Sequence, residues 1–242
     1  MKKPKMFQVS TLQALMLGYT KSVITVEELL THGDIGLGTF EDVDGEMIVL
    51  DGHCYQADAK GAISEAKSDK GVPFCAVSHM EEQSAHKIEN IFQIEDLKRF
   101  LDISIDEAFA LNSMHIVRID GFFNKVMARS EDGLKSRHIE LKKILENNQQ
   151  DFCFENIEGT LVCIYFPDYM DGINATGWHL HFISKDKSLG GHVFDINLKE
   201  GTAFFSKIST IEIKFPDTAE FDTYALKEAS EKDIKAVEQG KA

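Results

Sequence analysis

Positive charge is scarce in this chain. Its 242 residues carry 26 Lys and Arg against 40 Asp and Glu, a formal net charge of −14. So acidic a surface excludes the extended phosphate contacts on which nucleic-acid binding rests, and it disfavours an anionic membrane face for the same reason. A small anion can still bind, provided that the positive charge is local, from a metal or one particular Arg. Long apolar runs are also absent. No window approaches the roughly 18 apolar residues of a membrane span. The run Ala14 to Leu17, behind the basic start Met1-Lys2-Lys3-Pro4-Lys5, is too short for the core of a secretory signal. Cysteine is sparse and dispersed, with Cys54, Cys75, Cys153 and Cys163 forming no CxxC pair. That excludes a disulfide framework and suits a reducing cytoplasm. Cys75 and Cys163 lie in apolar, strand-like runs, where a reduced thiol serves as a small hydrophobe.

The residues that are present fit a soluble globular fold. Hydrophobic residues make up 43% of the chain, with 17 Phe, which is too apolar for disorder; the length suffices for one large domain or two small ones. Ser10 to Gly18 reads as a short capped helix, and Thr25-Val26-Glu27-Glu28 as a capping box that opens another. Asp44-Gly45 and Asp51-Gly52 punctuate short strands at Gly36–Phe40, Glu46–Leu50 and Cys54–Ala57, a meander joined by tight turns. Gly33, Gly36 and Gly38 stand in the wrong order for a dinucleotide-binding loop. Further strands are expected at Val72–Met80 and His115–Gly121, the latter turning at Asp120-Gly121 so that Phe122 to Arg129 returns. Helices are expected at Ile94–Leu101, Ile105–Leu111 and Lys135–Asn148, and a closing one at about Phe221–Gln239. Strands at Glu158–Phe166, Phe204–Ile208 and Ile211–Phe215 complete the pattern. The fold class is α+β, with mixed or antiparallel sheets and flanking helices. Two closely packed halves, 1–150 and 151–242, meet at the polar stretch around residue 150 and work as one unit.

The chemistry concentrates between Thr176 and Ile196. Gly177-Trp178-His179-Leu180-His181-Phe182 reads as a strand, and alternation puts His179 and His181 on one face, roughly 7 Å apart. Trp178, Leu180 and Phe182 take the other face. If the chain reverses through Lys185 to Gly191, His192 returns beside the pair. Three imidazoles on a rigid hairpin match an open catalytic metal site, with three protein ligands and a free position. Histidines in such a run are also common in ordinary cores, so spacing alone leaves the metal open. Ser184 and Asp195 are candidates to orient a ring. Glu46 opens a strand and faces either the interior or solvent, while Arg118 and Arg129 flank the Asp120-Gly121 turn. An Arg is the side chain suited to grip a carboxylate.

Several segments resemble the bacterial α-acetolactate decarboxylases. They are Gly36-Leu37-Gly38-Thr39-Phe40 followed by Asp44-Gly45-Glu46-Met47-Ile48-Val49-Leu50-Asp51-Gly52 and Tyr55; Pro73-Phe74; Arg118-Ile119-Asp120-Gly121 with Phe123; and Gly177-Trp178-His179-Leu180-His181-Phe182 with Gly190-Gly191-His192-Val193. The likeness spans nearly the whole chain. It implies one Zn2+ held by His179, His181 and His192, with Glu46 and Glu238 as acidic groups near the metal. It further implies Arg129 as the active-site arginine, Thr39 as a hydroxyl lining the pocket, and a tail folded over the site. The sequence departs from the family after Arg129, where Ser130-Glu131-Asp132-Gly133 stands in place of a Pro-x-Gln segment, and Arg118 is the alternative.

What the resemblance implies is conversion of 2-acetolactate to acetoin and carbon dioxide, part of acetoin and 2,3-butanediol formation, by a cytoplasmic homodimer. No partner beyond this small substrate is expected, neither nucleic acid nor membrane. Two other classes remain open on the residues alone. One is a different three-histidine zinc or iron enzyme, a hydrolase or dioxygenase. The other is a binding module without catalysis.

Overall fold

Two hydrogen-bonded sheets, stacked through an apolar layer, carry the chain. The computed structural model describes residues 4–109, 111–135 and 139–223. In chain order the early elements are β1 (Met6–Val9), α1 (Leu12–Met16), β2 (Ile24–Thr25), α2 (Val26–Leu30), β3 (Ile35–Thr39), β4 (Glu46–Leu50), β5 (His53–Ala57) and β6 (Ile63–Glu65). Then come β7 (Gly71–Val72), β8 (Phe74–Ser78), β9 (Ser84–Ile91), α3 (Ile94–Ala108), β10 (Met114–Glu131) and α4 (Leu141–Asn148). The last are β11 (Gln149–Phe166), β12 (Gly177–Ser184), β13 (Gly190–Ile208), β14 (Ile211–Lys214) and α5 (Ala219–Thr223). Seven strands pair in the order β14-β1-β8-β3-β4-β5-β6, antiparallel except for β1 with β14. Five form the second sheet in the order β10-β11-β12-β13-β9; because β10 also pairs with β13, four of these strands close into a ring.

Alternation along the strands decides which side chains meet. Leu180 and Phe182 of β12 face inward with Leu161, Cys163, Val193 and Phe205, and α3 covers this cluster with Leu97, Leu101 and Ile105. Ile183, one position out of phase, faces the other sheet among Ile48, Leu50, Ile116, Val162 and Ile164. His179 and His181 share that parity with Ile183, so they lie on the sheet-to-sheet face rather than in the ring's interior. Each large apolar side chain buried in such a layer stabilises the fold by about 1.5–3 kcal/mol.

Several local readings change in the structure. Asp120-Gly121 makes no turn: β10 runs through it for 18 residues, with Gly121 opposite Gly159 on one side and Gly201 on the other. The glycine serves close approach there, since a Cβ at Gly121 would lie 2.6 Å from the Glu200 carbonyl oxygen. Val72–Met80 is divided at Pro73, and its pieces join different sheets, β7 with β2 and β8 with β1 and β3. Proline has no N–H to give a ladder, which explains the break. The two helices expected between Ile94 and Leu111 are one, α3, because Ile94, Leu97, Leu101, Ser104 and Ile105 form a single buried stripe. Ser104 fits inside that stripe by donating its hydroxyl to the Phe100 carbonyl. α4 begins at Leu141, and β11 follows it without a loop, so residue 150 lies inside a strand whose partner β10 comes from the preceding half. Only Ala219–Thr223 of the closing helix, and not Glu238, fall among the described residues. No helix among them is long and apolar enough to cross a membrane.

All four thiols are free, and only Cys153 is exposed. Burial pushes the Cys54 thiol up to about 12 and raises Cys75 and Cys163 strongly as well. Maleimide at pH 8 should therefore label one thiol per native chain, Cys153, and the remaining three only after denaturation. Equally fast labelling of Cys163 would contradict the packed interior of the ring.

Candidate active site

Three imidazoles converge between the two sheets. β12 supplies His179 and His181, and His192 stands directly opposite His181 across the short β12–β13 pairing. The turn between them is built from its own polar side chains: Ser184 Oγ accepts from the Ser188 and Leu189 amides and donates to Asp186, which in turn accepts from Ser188. The paired glycines explain themselves sterically. A Cβ at Gly190 would lie 2.5 Å from the Phe182 carbonyl oxygen, and one at Gly191 would lie 2.8 Å from that of Arg129. Only glycine lets β13 approach both neighbours this closely.

The ring nitrogens nearly touch. His179 Nε2 lies 3.2 Å from His181 Nε2 and 3.1 Å from His192 Nδ1. His181 Nδ1 donates to the Met47 carbonyl oxygen at 2.8 Å, which leaves its Nε2 lone pair aimed at the other rings. Burial, with the Arg129 charge adding to it, lowers the His179 imidazole to about 3, and burial also holds His181 well below its usual range. Both rings are thus neutral, the form that ligates metal. Nitrogens sharing a tetrahedral ion at about 2.0–2.1 Å lie roughly 3.4 Å apart, close to the spacings seen here. The trio could hold a metal ion, and its all-nitrogen donor set fits zinc.

Side chains from distant segments complete the cavity. Glu46 begins β4 and brings Oε2 to 3.3 Å from His181 Nε2 and Oε1 to 4.0 Å from His192 Nδ1. Arg129, opposite His192 across the β10–β13 pair, is buried and donates through Nη2 to His192 Nε2 at 3.2 Å. Thr39 stands opposite Glu46 in the β3–β4 ladder and gives its hydroxyl proton to the Gly45 carbonyl at 3.0 Å. All three line one cavity with His179 and His192. Its other wall is apolar, with Leu15 of α1, Leu141 and Leu145 of α4, and Val43 and Phe74.

The remaining candidates lie elsewhere. Arg118 is held by Asp120 at 2.9 Å and by Asp51 at 2.7 Å, and it lines a separate surface groove. Ser184 is committed to its own turn and Asp195 accepts from the Ile94 amide, so neither orients an imidazole; the Met47 carbonyl and Arg129 contact the rings instead. Sequence reading missed Glu131 and Gln149, which also line the cavity, and Ser130, whose hydroxyl bonds to the Glu46 amide. A signal for Glu131 was available: it lies two residues from Arg129 on an extended strand, hence on the same face.

Comparison with known proteins follows the same lines. The family model described as "Alpha-acetolactate decarboxylase" matches residues 6–228. An "Alpha-acetolactate decarboxylase" of Methanosarcina mazei is 35% identical over 234 residues, covering 97% of this chain and 80% of that one. The protein of the same name from Lactococcus lactis subsp. cremoris is 37% identical over 243 residues, covering 97% and 98%. The crystal structure of alpha-acetolactate decarboxylase from Bacillus subtilis strain 168 superposes with a TM-score of 0.91 at 31% identity, covering 97% of this chain and 99% of that one. A family match over most of the length, curated relatives above 30% identity and a shared fold agree, and the chain belongs to the α-acetolactate decarboxylase family.

Proposed function

We propose that this chain decarboxylates 2-acetolactate to acetoin and carbon dioxide, with zinc held by His179, His181 and His192. The observation that carries the reading is the convergence of three imidazoles, two of which, His179 and His192, line one cavity together with the Arg129 guanidinium and the Glu46 and Glu131 carboxylates. A zinc ion there supplies Lewis acidity where negative charge develops as the carbon–carbon bond breaks. The chain is acidic overall, so attraction for an anionic substrate has to be local, and among the described residues Arg129 is the cation on the cavity wall.

Arg129 and His192 are linked by proton placement. A guanidinium only donates, so in the bond described above His192 Nε2 accepts and Nδ1 carries the proton. Were His192 to hold the metal through Nδ1, its proton would sit on Nε2, which would then not accept from Arg129. The guanidinium is proposed to reach the substrate carboxylate in the two-point geometry suited to that pair. In the proposed reaction the C1–C2 bond breaks and carbon dioxide leaves. The electron pair shifts through C2–C3 onto the ketone oxygen, and a proton closes on C2. Glu46, beside the ring nitrogens, is proposed to carry that proton, with Glu238 as a second acid. Leu15, Val43, Phe74, Leu141 and Leu145 offer the methyl groups an apolar wall and limit the access of water that would protonate the enediolate from either face. Two finer points belong to the proposal: a homodimer, which the family resemblance suggests, and a cytoplasmic location, which the dispersed free cysteines suit.

Purified protein should carry about one zinc per chain and release carbon dioxide from acetolactate; His181→Ala should lose both, and full activity in stripped protein would contradict the reading. Glu46→Gln should lower kcat by about 100-fold or more with KM nearly unchanged, whereas Glu238→Gln with unaltered turnover would remove that residue from the chemistry. For Arg129→Met the expected loss is about 10- to 100-fold in kcat/KM, as suits a charged hydrogen-bond partner. Metal content should stay the same in that variant, which separates carboxylate binding from metal loading.

A further inference from the structure

Glu46 and the histidines belong to different sheets, so something must fix their separation. Ser130 contributes by a side-chain bridge between the sheets. It is fully buried between Arg129 and Glu131, whose side chains line the cavity, and it points the other way, onto the start of β4 and the end of β5. β4 and β5 are joined by the two-residue turn Asp51-Gly52, which pairs Leu50 with His53; hydrogen-bonded rungs then recur at every second position, reaching Glu46 opposite Ala57. At that last rung the hydroxyl of Ser130 bridges the two strands. Its Oγ accepts from the Glu46 amide at 3.2 Å and donates to the Ala57 carbonyl at 2.8 Å.

We infer that Ser130 is a positioning residue, which hangs Glu46 from β10 and so sets its carboxylate against the imidazoles of the other sheet. Arg129, one position earlier on β10, is opposite His192, so a short stretch of one strand fixes both the guanidinium and the acid. A hydroxyl accepts from an N–H and donates to a C=O through a single small atom, which an alanine side chain at this fully buried position cannot do. The inference rests on Glu46 being the proton-transfer group.

The test compares Ser130→Ala and Ser130→Thr, each alone and in the Glu46→Gln background, in metal-loaded full-length protein. Ser130→Ala should keep its zinc and a cooperative thermal transition, lower kcat by about 10- to 100-fold with KM within about 2-fold, and shift the kcat–pH profile limb that Glu46→Gln abolishes. Ser130→Thr should restore kcat to within a few-fold of wild type. In the Glu46→Gln background Ser130→Ala should cost nothing further. Wild-type kcat and pH profile in a zinc-loaded Ser130→Ala, or full additivity with Glu46→Gln, would overturn the inference and leave the role of Glu46 standing. Wild-type turnover by Glu46→Gln would instead remove the role of Glu46 itself, and the inference with it. Should Ser130→Ala fail to fold, Ser130→Cys, with its small side chain and weak donor, carries the same comparison.

Discussion

The hydrogen bond from His181 Nδ1 to the Met47 carbonyl, 2.8 Å long and fully enclosed, joins the two sheets at the point where the chemistry gathers. A buried polar ring between apolar layers would be costly without a partner, and a carbonyl accepts only a donated proton, so this bond fixes the ring's tautomer as well as its place. Met47 follows Glu46 directly. The same contact that orients an imidazole therefore holds the strand that carries the carboxylate. This bond and the Ser130 bridge act together with backbone bonds at the far edge, Ile63 N to Ser188 O and Gly190 N to Gly61 O, to hold the two sheets in register.

Electrostatics around the cavity follows from that enclosure. Burial keeps His179 and His181 neutral, and the nearby Arg129 reinforces the effect at both. Among the described residues, an acidic protein thus sets one guanidinium and two carboxylates around a pocket beside the neutral His179 and His181. Such an arrangement suits an anionic substrate in a way the outer surface does not. An apolar cluster of Leu15 from α1, Leu141 from α4, Val43 and Phe74 lines the same cavity.

Strand alternation made much of this site legible in the sequence. His179 and His181 on one face, Leu180 and Phe182 on the other, and His192 across a short polar turn all stand as their spacing implies. What stayed hidden depended on long-range pairing. Asp120-Gly121 has the composition of a turn, yet flanking strands on both sides keep it extended. Since β10 does not reverse, Arg129 comes opposite His192 while Arg118 stays in a surface ion-pair cluster. A backbone carbonyl such as that of Met47 has no letter in a sequence, and a single serine signals nothing until the strand it bridges is known. Ser184 and Asp195 were chemically reasonable partners for an imidazole, but the turn and the start of α3 claim them first.

Anomalous diffraction at the zinc edge, on crystals grown with the metal, would locate the ion. One strong peak is expected between the sheets, within about 2.0–2.1 Å of His179 Nε2, His181 Nε2 and His192 Nδ1. The Arg129 guanidinium is expected to have turned away from His192 Nε2. Zinc bound at another site, or a peak between the sheets with Arg129 still bonded to His192 Nε2, would contradict the proposed site.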